Sequence, residues 1–184
     1  MRDSAMDLAV AHILSRVDVQ GADVLLIDGP SGAGKSTLAD AIVENWPAAE
    51  KPTLIRMDDI YPGWGGLAAA GEHVRTRVLE PRSLNQNARW QRHDWTLDAP
   101  AEWHDVPSAL PLLVEGCGVL TRASAALATV TVWLDADDAV RKERALARDD
   151  GAFDAHWDDW DQQFARFVRD EDPVSSAKLV LRAS

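Results

Sequence analysis

The chain has 184 residues, a length that accommodates one domain with a hydrophobic core but not two of ordinary size. Its hydrophobic fraction of 46% and charged fraction of 27% are typical of globular proteins, and its net charge of −11 argues against a general nucleic-acid-binding protein, because phosphate backbones require a cationic surface. One cysteine, no signal-peptide pattern and no run of about 20 apolar residues favour a cytoplasmic protein that does not enter a membrane.

The first part of the chain predicts helices and strands in alternation. Apolar residues recur at helical spacing over 5–17, which indicates an opening helix. The short apolar run 24–27 is typical of a strand buried on both faces. A helix is expected over 35–46, where Pro47 ends it, and a second strand over 53–57.

The rest of the chain continues this alternation after a long segment, 61–107, in which we expect one helix near 67–79. The further predicted elements are strands at 110–114, 130–134 and 178–181 and helices at 123–128, 137–148 and 154–168. Aromatic residues in the last helix recur at helical spacing and are expected to pack it against the body: Trp157, Trp160, Phe164 and Phe167. Together these elements predict an α/β fold with a parallel sheet, whose ligands bind at the carboxyl ends of the strands.

A phosphate-binding motif lies between the first strand and the following helix. Residues 29–36 match the pattern G-x-x-x-x-G-K-[ST] in full, and a strand before it and a helix after it are the context that the motif requires. Its backbone N–H groups are suited to phosphate oxygens, Lys35 to the β- and γ-phosphates and the Ser36 hydroxyl to Mg²⁺. We therefore expect ATP to bind, with Mg²⁺ as cofactor, at Gly29, Pro30, Ser31, Gly32, Ala33, Gly34, Lys35, Ser36 and Thr37.

Acidic residues follow the second and third predicted strands. Asp58, directly after one strand, is a candidate for the carboxylate that accepts or orients a hydroxyl proton, with Asp59 as its alternate. Glu115 ends the other strand and is a candidate Mg²⁺ ligand. A solvated turn and a capping carboxylate are the structural alternatives for these positions.

Three arginines share one face of the helix predicted over 137–148. Arg141, Arg144 and Arg148 lie at i, i+3 and i+7, and the positions four residues away from Arg144 are Val140 and Arg148. We predict that Arg144 and Arg148 close over the ATP phosphates as a lid and take part in catalysis. Two helix-surface ion pairs, Asp137 with Arg141 and Asp138 with Lys142, are also expected, and salt bridges to Asp149, Asp150 or Asp154 are the alternative for the other arginines.

A local excess of arginine occurs inside the long segment. Between residues 72 and 94 there are five arginines and three acids, although the whole chain has a charge of −11. The arginines could bind a phosphate or carboxylate of an acceptor, or they could form a surface patch that pairs with acids elsewhere: Arg75, Arg77, Arg82, Arg89 and Arg92.

These motifs together resemble the uridine kinase-like nucleoside kinases of the P-loop class. The family's phosphate loop is similar to residues 29–37, its Asp-x-aromatic-Tyr segment to 58–61, its Tyr-Asp-Phe segment to 93–95, its Glu-Gly strand end to 115–116 and its arginine-rich lid to 141–149. The departures are His93 in place of Tyr, Ile60 in place of an aromatic residue, and 96–99 in place of Thr-His-Ser-Arg. All of them fall on the side that recognises the nucleoside.

The resemblance implies a three-layer P-loop NTPase fold with a five-stranded parallel sheet, helices on both faces and a helical lid. It implies one kinase domain over 1–184, with the lid at about 141–170 and the acceptor-binding region at about 61–107. In this interpretation ATP donates its γ-phosphate to a hydroxyl of a nucleoside or similar small metabolite, Asp58 is the base, and the acceptor is bound by Asp59, Tyr61, His93, Asp94 and Trp95.

Two other functions are compatible with the same motifs. The sequence of residues 27–32 is equally similar to that of bacterial cytidylate kinases, which transfer phosphate to a nucleoside monophosphate. The Asp-Ser-x-Arg segment of those enzymes is absent here. The chain could also bind ATP as a structural or regulatory ligand without transferring phosphate.

Overall fold

Five strands form one parallel sheet, which confirms the predicted α/β architecture. The computed structural model describes residues 4–18, 21, 23–148, 151 and 153–183, and in this part of the chain the sheet has the order β2-β5-β1-β6-β7. Its strands are β1 (Val24–Asp28), β2 (Thr53–Arg56), β5 (Leu112–Glu115), β6 (Val130–Asp135) and β7 (Leu179–Arg182). In the register, Glu115 lies opposite both Ile27 and Arg56, so the carboxyl ends of β1, β2 and β5 meet at one edge.

Helices cover both faces of this sheet. In chain order they are α1 (Ser4–Leu14), α2 (Lys35–Glu44), α3 (Leu67–Val74), α4 (Glu80–Ser83), α5 (Arg122–Ala125), α6 (Asp138–Arg148), α7 (Trp157–Glu171) and α8 (Pro173–Ser176). A π-helical segment, Arg75–Leu79, joins α3 to α4, so the helix predicted near 67–79 continues to residue 83. Short 3-10 turns lie at Met57–Asp59 and Asp154–His156.

Two hydrophobic clusters lie on opposite faces of the sheet because alternate residues of a strand point to opposite sides. In β1, Leu25 and Ile27 belong to the cluster that includes α1 and α2, whereas Val24 and Leu26 belong to the cluster that includes α3 and α7. This explains why the strand is apolar at every position from 24 to 27. It also fixes the end of β1, where the phosphate loop begins.

The aromatic stripe of α7 packs against the sheet, as the sequence predicted. Trp157, Trp160, Phe164 and Phe167 are all buried, and the ring of Phe164 stacks on that of Trp133 in β6 with centroids 6.0 Å apart. Among the described residues, no helix combines the length and apolar character needed to cross a membrane.

An antiparallel hairpin that the sequence analysis did not predict occupies much of the segment 61–107. It consists of β3 (Ala88–Asp94) and β4 (Ala99–Val106). The carboxylate of Asp94 accepts hydrogen bonds from the N–H groups of Thr96 and Leu97 at 2.9 and 3.0 Å, and Asp98 adopts a left-handed backbone with φ of 48°. Half of the residues of β4 are exposed and one, Val106, is buried, so its sequence lacks the apolar alternation of a half-buried strand.

The packing of α7 can be tested by removing one ring. We expect Phe164→Ala to lower the free energy of unfolding by about 3–5 kcal/mol, because a buried aromatic side chain is replaced by a cavity. Leu8→Ala, at a side chain that is 71% exposed, should change it by less than about 0.5 kcal/mol. Denaturant unfolding followed by circular dichroism measures both, and equal effects would contradict the assigned packing.

Candidate active site

The phosphate loop connects β1 to α2, where the motif predicted it. Two of its glycines lie against neighbouring backbone: a Cβ atom at Gly29 would overlap the carbonyl oxygen of Leu134, and one at Gly32 would overlap that of Arg141. Gly32 and Gly34 also have positive φ angles of 79° and 96°, which residues with a side chain rarely adopt. Glycine is therefore required here for backbone conformation and for close packing.

A cavity of about 290 Å³ opens over this loop. The phosphate loop and the start of α2 contribute Ser31, Gly32, Gly34, Lys35, Ser36 and Thr37, and other elements contribute Asp58, Glu115, Gly116, Cys117, Arg144 and Ala145. The structure thus brings together, around one space, the predicted base, the predicted metal ligands and one predicted lid arginine. Gly29, Pro30 and Ala33, which were also predicted to bind ATP, do not line this cavity.

Lys35 is buried and lies along the floor of the cavity. Its Nζ donates hydrogen bonds to the carbonyl of Pro30 at 2.9 Å and to the Sγ of Cys117 at 3.4 Å. The Cys117 thiol in turn contacts the carbonyl of Gly29 at 3.3 Å. These are weak partners for an ammonium group, which a bound phosphate could replace at little cost.

Glu115 and Ser36 are in contact on one wall of the cavity. Burial raises the pKa of Glu115, while the charge of Lys35, a hydrogen bond with Ser36 and the charge of Arg56 oppose this rise. Arg56 donates to Glu115 Oε1 at 3.2 Å and to Asp40 at 2.5 Å, so it holds the carboxylate from the side. Arg56 was not expected from the sequence, where its position at the end of β2 is its only signal.

This wall is suited to Mg²⁺ that is bound together with a nucleotide. Mg²⁺ prefers oxygen ligands and in nucleotide sites takes only one or two from protein, because phosphates and water supply the others. A hydroxyl and a carboxylate in contact meet that requirement. Within the described ranges, no cluster of three or more His, Cys, Asp or Glu side chains could hold a metal ion without such help.

The two aspartates after β2 differ in environment. Asp58 is exposed and lines the cavity, whereas Asp59 is half-buried. Burial and the neighbouring charge of Asp58 raise the pKa of Asp59, and the nearby charges of Arg56 and Arg92 oppose this. The strand ends at Arg56 and does not extend to residue 57 as predicted, because the chain leaves β2 in a 3-10 turn that contains both aspartates.

The residues expected to bind the acceptor lie outside this cavity. Tyr61 is buried, with its hydroxyl donating to the carbonyl of Cys117 at 2.8 Å. His93 is buried beside Asp98 at 3.2 Å, and Asp94 closes the hairpin turn. Trp95 is 41% exposed and its indole N–H donates to the carbonyl of Asp58 at 2.8 Å.

An aromatic cluster connects Trp95 to the segment after α6. The ring of Trp64 lies 5.0 Å from that of Trp95 and stacks on His156 and Phe153 at 4.5 and 5.2 Å. Gln163 in α7 donates to the carbonyl of Trp64 at 2.9 Å. The hairpin and the α6–α7 connection are therefore in contact through Trp64.

The arginine face of α6 is only partly as predicted. Asp137 caps the helix by accepting from the N–H groups of Ala139 and Val140, so it does not pair with Arg141. Arg141 instead pairs with Asp138 and Asp161 at 2.7 and 3.0 Å, and Lys142 lies over the ring of Trp157. Arg144 lines the cavity. The side chain of Arg148 and the residues Asp149 and Asp150 lie outside the described part of the chain.

A second cavity, of about 270 Å³, adjoins the first. Both are lined by Gly34, Thr37 and Arg144. Its remaining lining is mainly apolar and comes from α1, the phosphate loop, α2 and the ends of β6 and β7: Ala5, Met6, Ala9, Ala33, Leu38, Leu134, Leu181, Arg182 and Ala183. A role of α1 in a site was not expected from the sequence.

Asp28, which the sequence analysis also missed, lies buried at the end of β1. Its carboxylate accepts hydrogen bonds from the N–H groups of Gly29, Gly118 and Leu120 at 2.7, 3.1 and 2.8 Å. Burial raises its pKa to about 6, against these hydrogen bonds and the charge of Lys35. A single acid at the end of a continuous apolar run was the signal in the sequence.

Comparison with known proteins identifies the fold. The chain is similar to the structure of a possible uridine kinase from Bacillus stearothermophilus, with a TM-score of 0.67 and 18% identity over 96% of this chain and 97% of that one. It is also similar to a candidate fructose transport system kinase from Silicibacter sp., with a TM-score of 0.57 and 17% identity over 97% and 99%. No protein-family model matches the sequence, and no curated protein does. The chain therefore shares the fold of these structures over nearly its whole length.

The buried carboxyl of Asp28 predicts a distinct pH dependence of stability. Its folded-state pKa of about 6 lies above the ordinary value of 3.8, so the protonated acid is favoured in the folded state. The stability that this preference contributes is complete below pH 3.8 and is lost as pH rises to about 6. Relative to Asp28→Asn, the wild type should lose about 3 kcal/mol of unfolding free energy across this range, at about 1.4 kcal/mol per pKa unit.

Urea unfolding of both proteins at several pH values between about 4 and 7 measures this difference. Comparison with the variant removes the contribution of all other acids. A difference that does not change with pH would mean that Asp28 titrates at its ordinary pKa.

Proposed function

We propose that this chain is an ATP-dependent small-molecule kinase that transfers the γ-phosphate to a hydroxyl group of a uridine-like nucleoside or a similar small metabolite. One observation carries the proposal: Lys35, Arg144, the Ser36–Glu115 pair and Asp58 surround a single cavity. Phosphoryl transfer depends mainly on positioning and electrostatic stabilisation, and these are the groups that it needs.

The donor side provides positive charge around the phosphates. Lys35 and the N–H groups of the phosphate loop bind the β- and γ-phosphates, and Arg144 neutralises charge on the γ-phosphate as it is transferred. Mg²⁺, when bound by Ser36 and Glu115, supplies further charge neutralisation. Arg56 keeps the Glu115 carboxylate directed at the Ser36 side of the cavity.

The acceptor side provides a carboxylate. Asp58 accepts the proton of the attacking hydroxyl or orients it toward the γ-phosphate. Its backbone is held by the indole N–H of Trp95, so this residue of the predicted acceptor segment acts on Asp58 through the main chain. Exposure of Asp58 leaves its carboxylate accessible to an acceptor.

The apolar second cavity is suited to the base of the nucleotide. It adjoins the phosphate cavity at Gly34 and Thr37, and Arg144 lies between the two, where a guanidinium can contact both a phosphate and the face of a ring. Met6 and Ala9 give α1 a direct part in this binding.

A phosphorylated acceptor, as in a cytidylate kinase, has less support because most arginines of the 75–92 segment have other partners. Arg75 pairs with Glu72 and Glu80, Arg82 donates to the carbonyls of Pro107 and Leu110, Arg89 lies over Trp103, and Arg92 pairs with Glu102. None of the five lines the phosphate cavity. The acceptor side of that cavity instead carries Asp58, which would repel a second phosphate.

Asp58→Asn tests the transfer step. We expect a loss of at least about 100-fold in ADP release because the proton acceptor is removed. ATP binding, measured by calorimetry, should stay within about threefold because Asp58 is not among the groups assigned to the phosphates or to Mg²⁺. ADP release is measured with a panel of possible acceptors: nucleosides, sugars and nucleoside monophosphates. The control variant is Asp105→Asn, at an exposed position of β4.

Each alternative gives a different result in the same assay. Turnover only with nucleoside monophosphates would support the cytidylate kinase-like function. ATP binding without ADP release for any acceptor would support a non-catalytic module. Full activity of Asp58→Asn together with loss of activity in Asp59→Asn would show that Asp59, and not Asp58, is the base.

The base cavity is tested by filling it. Ala9→Trp should weaken ATP binding at least about tenfold and leave tripolyphosphate binding within about twofold, because only the base is displaced. Leu8→Trp, on the exposed side of the same helix, is the matched control and should change neither. Equal weakening of both ligands by Ala9→Trp would show that α1 affects the phosphate loop instead.

A further inference from the structure

Asp28 connects two loops that both contribute to the lining of the phosphate cavity. One carboxylate oxygen accepts from Gly29 N–H, at the start of the phosphate loop, and from Gly118 N–H. The other accepts from Leu120 N–H. The carboxylate is fully buried, so these backbone donors and the nearby charge of Lys35 are its compensation for lost hydration.

A carboxylate is the side chain that fits this position. Three N–H groups converge on its two oxygens, and a carboxylate can accept at both. The isosteric amide of asparagine has one oxygen, so its NH₂ group would face the N–H of Leu120 or of the other two donors. Burying the charge of Asp28 is unfavourable, as the raised pKa shows. A contact between the two loops made only by apolar side chains would avoid that cost.

The loop held by Gly118 and Leu120 follows directly from Glu115. Cys117 lies between Glu115 and Gly118 in the chain. Its Sγ contacts Lys35 Nζ at 3.4 Å, and its carbonyl accepts a hydrogen bond from the Tyr61 hydroxyl. The phosphate loop on the other side carries Lys35 and leads to Ser36. Asp28 therefore sets the distance between the groups that contact phosphate and the carboxylate assigned to Mg²⁺.

We infer that Asp28 is a positioning residue that holds the phosphate loop in register with residues 116–120, so that the nucleotide and Mg²⁺ are bound together. The inference rests on the proposed function in its use of MgATP. Asp28 lies outside the phosphate-binding motif and does not line the cavity, so it acts through the two backbone segments that it holds.

The test is the preference of the protein for MgATP over free ATP. Calorimetry at pH 7.5 gives the ATP affinity with Mg²⁺ and with EDTA for the wild type, for Asp28→Asn and for Asp135→Asn, the same change at the end of the adjacent strand β6. In Asp28→Asn we expect MgATP binding to weaken at least about tenfold and ATP binding with EDTA by less than about threefold, so the preference falls. Asp135→Asn should keep the preference of the wild type.

Other results overturn the inference. Equal weakening of both forms of ATP, or no weakening, would mean that Asp28 only stabilises the fold. If Asp28→Asn does not fold, Asp28→Ser, which removes the buried charge and keeps one acceptor, replaces it, and failure of both to fold would also refute the positioning role. A wild type that binds no form of ATP would instead refute the proposed function, before any variant is compared.

Discussion

The phosphate loop packs against neighbouring backbone with no space for side chains between them. Gly29 meets β6 at Leu134, and Gly32 meets α6 at Arg141. These contacts fix α6 over the loop, and Arg144, one turn further along the helix, consequently reaches the cavity. The parallel sheet brings the ends of β2 and β5 to the same edge as the phosphate loop. The distances between their carboxylates and the phosphate-binding groups therefore depend on how closely this loop packs against β6 and α6.

Charge is divided across the cavity. Lys35 and Arg144 lie on the side of the phosphate loop and α6, and Asp58 and Glu115 lie on the side of β2 and β5. The buried Glu115 is compensated by Arg56 and Lys35, and Asp28 by backbone N–H groups. In the proposed function, this division would attract the triphosphate to Lys35 and Arg144 and favour an uncharged acceptor beside Asp58.

The sheet and the phosphate loop could be predicted because their residues obey local rules. Continuous apolar runs mark strands buried on both faces, and the glycine-rich motif requires its conformation wherever it occurs. Glu115 followed from its position at a strand end. These predictions needed no knowledge of contacts between distant parts of the chain.

The acceptor region could not be predicted in the same way. The β3–β4 hairpin has no apolar alternation, since β4 has one buried residue and the two strands are joined by ion pairs such as Arg92 with Glu102. The hydroxyl of Tyr61 is directed at the carbonyl of Cys117, which no spacing in the sequence indicates. The pairing of Arg141 with Asp161 and the hydrogen bond of Asp28 with Gly118 likewise depend on residues 20 and 90 positions away.

Cys117 is a single natural site for chemical labelling of the chain. It is the only thiol in the sequence, it is 4% exposed and it lines the phosphate cavity. Burial raises its pKa, so little reactive thiolate is present at neutral pH and alkylation should be slow unless the floor of the cavity opens. A thiol reagent can therefore attach at one place in the whole molecule, and its rate of attachment reports on the occupancy and movement of the site without any engineered label.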